Sequence, residues 1–276
     1  MDKKKKSKVV ELVEFVSQIL KSKKLISQLA KNDFKTKYAG SYLGIVWAFV
    51  QPVVTVLVYW FVFGVGLRSG DVMDTPFVLW LIAGIVPWFF FSDAWNGGTG
   101  ALIEYQYLVK KVVFQIDILP LVKVLSAMFV HAFFVGFSIV LFMCYGYFPN
   151  FYTLQLVYYS FCALILVLGL SYVTSAIVCF FRDLTQIIGV VLQVGIWMTP
   201  IMWNIDAMSL PSWLVFILKL NPMYYIVAGY RDSFIHKIWF WEKPAETLYF
   251  WLLTLVVFVF GASVFKKLKV HFADVL

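Results

Sequence analysis

Charged residues are so sparse over most of this chain that the gaps between them lay out its plan. No Asp, Glu, Lys or Arg occurs in 38–67, 75–92, 124–181, 184–205 or 247–265. A helix needs about 20 mostly apolar residues to cross the ~30 Å hydrocarbon layer of a membrane. Four of these runs have the length of one span. The 58 residues of 124–181 have the length of two, and Gly146, Pro149 and Asn150 put a turn signal near the middle. The pattern predicts an all-α integral membrane protein with six transmembrane helices.

The stretch 206–246 interrupts this regularity. Its uncharged runs, 207–218 and 220–230, are each too short to cross, and Pro211, Pro222 and Pro244 punctuate it. Such pieces read as interfacial or re-entrant. A seventh span here is the competing reading, and it would put the two ends of the chain on opposite faces.

Two segments outside the spans have helical periodicity. Over 9–30, Val9, Leu12, Val13, Val16, Ile19 and Leu20, then Leu25, Ile26 and Leu29, fall on one face. This predicts an amphipathic helix lying in the membrane interface, as an anchor or as a collar around an entrance. After the second span, Gly97, Gly98, Thr99 and Gly100 are read as a helix break. Tyr105, Leu108, Val112 and Ile116 then alternate with charges as a short amphipathic connector, up to Pro120. Tyr107, Lys110, Lys111, Phe114 and Asp117 lie on this segment (about 101–118), where a soluble partner could press. A plain solvated connector is the alternative. The expected division is 1–37, an interface helix with a basic segment, and 38–276, the membrane domain, with 206–246 at its outer side.

Composition agrees. The chain of 276 residues is 62% hydrophobic and only 14% charged, against about 45–50% and about 25% in soluble domains. A soluble fold of this size cannot hide so much apolar surface, which excludes a cytosolic enzyme and a nucleic-acid-binding domain. The net charge of +8 is a topology signal instead. With six spans, 18 of the 23 Lys and Arg residues fall on the side of the N-terminus, leaving Arg68, Lys219, Arg231, Lys237 and Lys243 on the other. Basic residues concentrate on the cytoplasmic side, so both ends are expected there, beside anionic lipid headgroups. No cleavable signal peptide is expected. Cys144, Cys162 and Cys179 lie in apolar runs and suggest neither disulfide nor metal chemistry.

Candidate chemistry is thin. No phosphate-binding GxxxxGK[ST] loop, HExxH or GxSxG motif is present. No catalytic or metal-ligating set is expected, and no cofactor. Ionisable groups within membrane segments are functional candidates by default. Here they are Asp93, His131 (a hydrogen-bonded bundle residue rather than a proton relay), and the adjacent Arg182 and Asp183. No chain of buried carboxylates suggests a coupling ion. Aromatic residues are abundant. Trp and Tyr form belts at both interfaces of membrane proteins, but Trp47, Tyr59, Trp60, Trp88, Phe89, Phe90 and Trp197 are also candidates to line a passage. A passive channel or structural membrane protein, and a membrane glycosyl- or acyltransferase built on Asp93 and His131, are alternatives left by the residues alone.

Residues 32–47 (NDFKTKYAGSYLGIVW) resemble the N-terminal motif of the ABC-2 type permeases that export polysaccharides. Residues 83–91 (AGIVPWFFF) are similar to that family's second-span motif, and 108–120 (LVKKVVFQIDILP) to its cytoplasmic coupling segment. Residues 181–183, 199–201, 221–224 and 272–276 match in order. The resemblance implies a six-span subunit that pairs with a copy of itself above two separate cytoplasmic ABC ATPase subunits, which bind ATP and Mg. These would dock around Lys110 to Asp117. ATP-driven closure would move a lipid-linked glycan of the undecaprenyl-diphosphate type, a teichoic acid or an O-antigen or capsule chain, out of the bacterial cytoplasmic membrane. Lys35, Lys37 and Arg182 would receive the headgroup at the inner entrance. The aromatic walls would pass the sugars, and Tyr224, Tyr225 and Tyr230 would belong to an outer gate. The family often has Arg where Lys37 stands. Lys keeps the charge but loses the bidentate phosphate contact.

Overall fold

A computed structural model describes residues 21–66, 70–110, 114–205 and 208–276. The expected helix over 9–30 therefore falls partly outside the described residues, as does Lys111. Helix α1, Lys23–Lys37, follows the helical period with Ile26, Ala30 and Asp33 buried at i, i+4 and i+7. It lies against the start of α4, Leu119–Cys144.

Helix α2, Trp47–Tyr59, is preceded by a tight turn, Gly44–Val46, and continued by wider turns, Trp60–Gly66. It packs sparsely: Ala48 is its one buried residue. Helix α3, Phe77–Glu104, is the central post and packs on α4 and on α5, Gln155–Val178. The expected break at 97–100 does not occur, since α3 runs through it to Glu104. Close packing supplies the reason: a Cβ on Gly98 would stand 2.2 Å from Ser171 Oγ of α5. Glycine costs a helix about 1 kcal/mol, less than the α3–α5 contact returns. Between α4 and α5 the expected turn is present, with Gly146 at φ +87°.

Helix α6, Leu184–Met198, is shorter than the run that predicted it. Pro200 disfavours helical geometry at Thr199, so α6 is about 22 Å long. After it come α7, Ser212–Lys219, and α8, Pro222–Arg231, bent 87° from each other. Asn221 caps α8 by accepting from Met223 N, with Pro222 in the first turn. Wider turns, Asp232–His236, extend α8. Helix α9, Pro244–Leu268, closes the bundle, and Phe272 beyond it is buried against Phe265 and Phe180.

Side-chain contacts sort the ends of these helices. Gln155 at the start of α5 bonds Ile238 O and Phe240 N just before α9, and Trp80 in the first turn of α3 meets His236. Those starts share one face. At the other, Tyr105 after α3 bonds Asp33 of α1, and Lys269 after α9 pairs with Asp117 just before α4. Among the described residues, five helical segments are long and apolar enough to span a membrane, six if the bent pair counts as one. Helix α6 begins at the α1 face and α9 begins at the opposite one, so α6 with the bent pair makes one net crossing. The sequence pattern assigned that crossing to 184–205 alone. The end of the chain thus returns to the face of α1, as the six-span reading expected.

Candidate functional site

At the α1 face the structure gathers charges from segments far apart in sequence. Lys123, 7% exposed in the first turns of α4, pairs with Asp33 of α1 and with Glu104 at the end of α3, both at 2.6 Å. Tyr105 donates to the same Asp33 at 2.7 Å, and the Lys123 ammonium lies 5.2 Å from the centre of its ring. Burial, and the hydrogen bond to Asp33, raise the Tyr105 phenol above its ordinary pKa, so it stays a donor. Ser22 Oγ donates to Gln115 Oε1 at 2.6 Å. Helix α1 is therefore tied to the α3–α4 connection at two places.

Among the residues expected to meet a soluble partner, Tyr107 and Lys110 are exposed, one on and one after the single helical turn Gln106–Val109. Phe114 is half-buried against the core. Asp117 turns inward, paired with Lys269, while its carbonyl accepts from Tyr172 OH at 3.0 Å. It is a tether of the connection rather than part of an outward surface.

Of the expected headgroup residues, Lys35 and Lys37 are exposed near the end of α1, and Arg182 is exposed in the turn before α6. The structure brings Lys37 to Asp93 of α3 at 2.5 Å, both about 40% exposed, rather than to Arg182. Burial lowers the Lys37 pKa, but Asp93 outweighs it and holds the ammonium above its ordinary value.

This pair stands at a cleft of about 260 Å³ between α2, α3 and α4, whose lining includes Trp47, Gln51, Phe89, Phe90, Asp93 and His131. A second cleft of about 280 Å³ lies between α2, α3 and α6, with Tyr59, Trp88 and Gln193 in its walls. Thr55, Phe89, Ser92 and Asn96 line both, so the two adjoin. Gln51, Thr55, Ser92, Asn96 and Gln193 make a polar stripe along an apolar bundle. Polar side chains at membrane depth face protein or water-filled cavities rather than lipid.

Five of the seven expected passage aromatics, Trp47, Tyr59, Trp88, Phe89 and Phe90, thus border these clefts. Trp60 and Trp197 are exposed and line neither. The expected gate tyrosines divide. Tyr224 has Lys219 5.9 Å from the centre of its ring. Tyr225 and Tyr230 are core residues: Tyr225 stacks on Phe250 and bonds Tyr158 and Thr247, and Tyr230 bonds Ser160 and His131. They fasten α8 to its neighbours. His131 is likewise a bonded bundle residue, held also by Ser160 at 3.0 Å.

Sequence reasoning missed the partners of Asp33, Lys123, Asp93 and Arg231. A lone carboxylate within the basic 21–37 segment was the one signal that pointed to Asp33.

Residues 24–235 match the ABC-2 type transporter family. The chain is 28% identical over 265 residues to the O-antigen export system permease protein RfbA of Myxococcus xanthus, covering 95% of this chain and 99% of the relative. It is 26% identical over 253 residues to the RfbA protein of Klebsiella pneumoniae, covering 91% and 95%. It is 22% identical over 242 residues to the polysialic acid transport protein KpsM of Escherichia coli, covering 87% and 92%. Five membrane-length helices, a composite sixth crossing and a family match over most of its length make this chain a multi-pass membrane protein of the ABC-2 type transporter family.

Proposed function

We propose that the chain is the permease subunit of an ATP-driven exporter of a lipid-linked polysaccharide. The observation that carries this is the polar stripe flanked by aromatic side chains, running from the Lys37–Asp93 pair to Gln193. The printed activities of the relatives, O-antigen export and polysialic acid transport, support the same class. The face bearing α1 and the C-terminus is cytoplasmic, as its basic residues suggest. Two copies pair with α2 and α6 toward each other, and two cytoplasmic ATPase subunits bind ATP and Mg beneath Tyr107 and Lys110. The chain itself holds no cofactor and hydrolyses nothing. Lys37 exchanges Asp93 for the diphosphate of an undecaprenyl-type carrier, Lys35 and Arg182 add positive potential, and the sugars slide along Trp47, Tyr59 and Phe89.

The test is reconstitution of the permease with its co-expressed ATPase in vesicles. ATP hydrolysis should rise on adding a polyprenyl-diphosphate-linked glycan, and the glycan should cross only with ATP. Transport by this chain alone, or without nucleotide, overturns the reading.

A further inference from the structure

Arg231, at the end of α8, is 5% exposed. Its Nη1 donates to Pro200 O at 2.7 Å and its Nη2 to Ile201 O at 2.8 Å. The guanidinium carbon lies 3.7 Å from the centre of the Trp80 ring in α3. Gly84 leaves room for it, since a Cβ there would stand 3.0 Å from Nη2 and 3.3 Å from Ile201 Cγ2. The neighbouring Asp232 is committed to His236 and Lys243. Burying a charge among neutral partners is costly, and Nε has no hydrogen-bond partner among the described residues. What the arginine holds is the elbow after α6, where the chain has left helical bonding. Asn221 adds one bond there, Nδ2 to Thr199 Oγ1 at 2.8 Å.

Helix α6 has space on both flanks. On one is the polar cleft with Gln193. On the other is an apolar cavity of about 490 Å³, bounded by Val191, Val194 and Met198 of α6 and by Phe91, Leu170 and Met223 opposite. Only Ile188 and Leu192 of α6 are fully buried. A helix with few buried anchors and an open apolar groove beside it can lean without unpacking the core.

We propose that Arg231 is the bolt of the outer gate. While it holds the Pro200 and Ile201 carbonyls, α6 stands upright and the polar cleft is narrow. When it lets go, α6 leans into the apolar cavity and the cleft widens. Arg231 acts as a positioning residue, through α6 and not by touching cargo. The inference rests on the exporter reading, in which α6 borders the passage.

The test uses the reconstituted complex with Gln193→Cys as the single cysteine, labelled by a membrane-impermeant maleimide from the outer side. In the wild-type background ATP should speed labelling. Arg231→Met removes both charge-assisted hydrogen bonds to the elbow and should raise the ATP-free rate by at least about tenfold, the effect expected for the loss of even one of them. Leu170→Trp, which fills the cavity behind α6, should hold the ATP-driven rate at the ATP-free level and stop export, while ATP hydrolysis without glycan continues. These opposite signs distinguish a bolt from general loosening. Unchanged labelling in Arg231→Met, or normal export in Leu170→Trp, overturns the proposal. If Arg231→Met does not assemble, Leu170→Trp decides alone. Labelling that ignores ATP in the wild-type background would overturn the exporter reading itself.

Discussion

Asp33 and Lys123, 90 positions apart in the chain, meet at 2.6 Å with both side chains withdrawn from water. The contact joins the interface helix to the first turns of α4, and Tyr105 completes it from the α3–α4 connection. One buried ion pair and one hydrogen bond thus join the α3–α4 connection and α4 to α1, whose Lys37 pairs with Asp93 at the mouth of the cleft.

Removing one partner of a buried ion pair strands the other charge and costs about 3–5 kcal/mol. Lys123→Met should therefore lower the unfolding temperature of the purified protein markedly. Asp33→Leu combined with Lys123→Met should recover much of the loss, because no buried charge is then left alone. Glu104, 62% exposed, contributes little to either result. Thermal unfolding of the single and double variants in detergent checks the order.

Gly98 is required by the approach of α5. Gly98→Ala places its new Cβ 2.2 Å from Ser171 Oγ and 2.6 Å from Ser171 Cβ, so it should destabilise by about 1–3 kcal/mol despite better helix propensity. Ser171→Gly in the same molecule removes both clashing atoms and should restore part of the loss. A break at 97–100 would instead make Gly98→Ala neutral or stabilising, and thermal shifts separate the two outcomes.

The Lys37–Asp93 pair is half-exposed, so Asp93→Asn should change stability by less than about 1 kcal/mol. Its larger effect should be on cargo. Freeing Lys37 should lower severalfold the lipid-glycan concentration that half-stimulates ATP hydrolysis, and Lys37→Ala should raise it. The Lys37 pKa is raised on folding above its ordinary 10.5. Its contribution is thus complete below that value and is lost as pH climbs through the folded pKa. From about pH 6 to 9 this pair should add no pH dependence to stability, which a denaturation series across that range measures.

The spans were legible because membrane helices are a local signal: a run of apolar residues long enough to cross reads the same in isolation as in the fold. The turn at Gly146 was legible for a similar local reason. The glycines of 97–100 were misread because local propensity says nothing about the helix that will lie alongside. The end of α6 was overrun because the uncharged stretch continues past Pro200. Trp47, Tyr59, Trp88, Phe89 and Phe90 were picked out by type and span, and the structure puts them at the clefts. Lys123 was counted as a topology marker and Arg231 as an outer charge, because their partners, Asp33 and the Pro200 and Ile201 carbonyls, are brought to them only by packing. Tyr225 and Tyr230 were taken for gate surfaces because a sequence does not say which face of a short helix turns inward.

In the segment Gly44–Gly66, Ala48 is the one buried residue. Among the described residues this stretch is the membrane-length segment least anchored by its own chain. Its final position is therefore set by whatever stands beside it in the bilayer. In the pairing proposed above, the partner copy supplies the packing that this segment lacks within its own chain, so a copy left alone would carry one loosely held membrane segment.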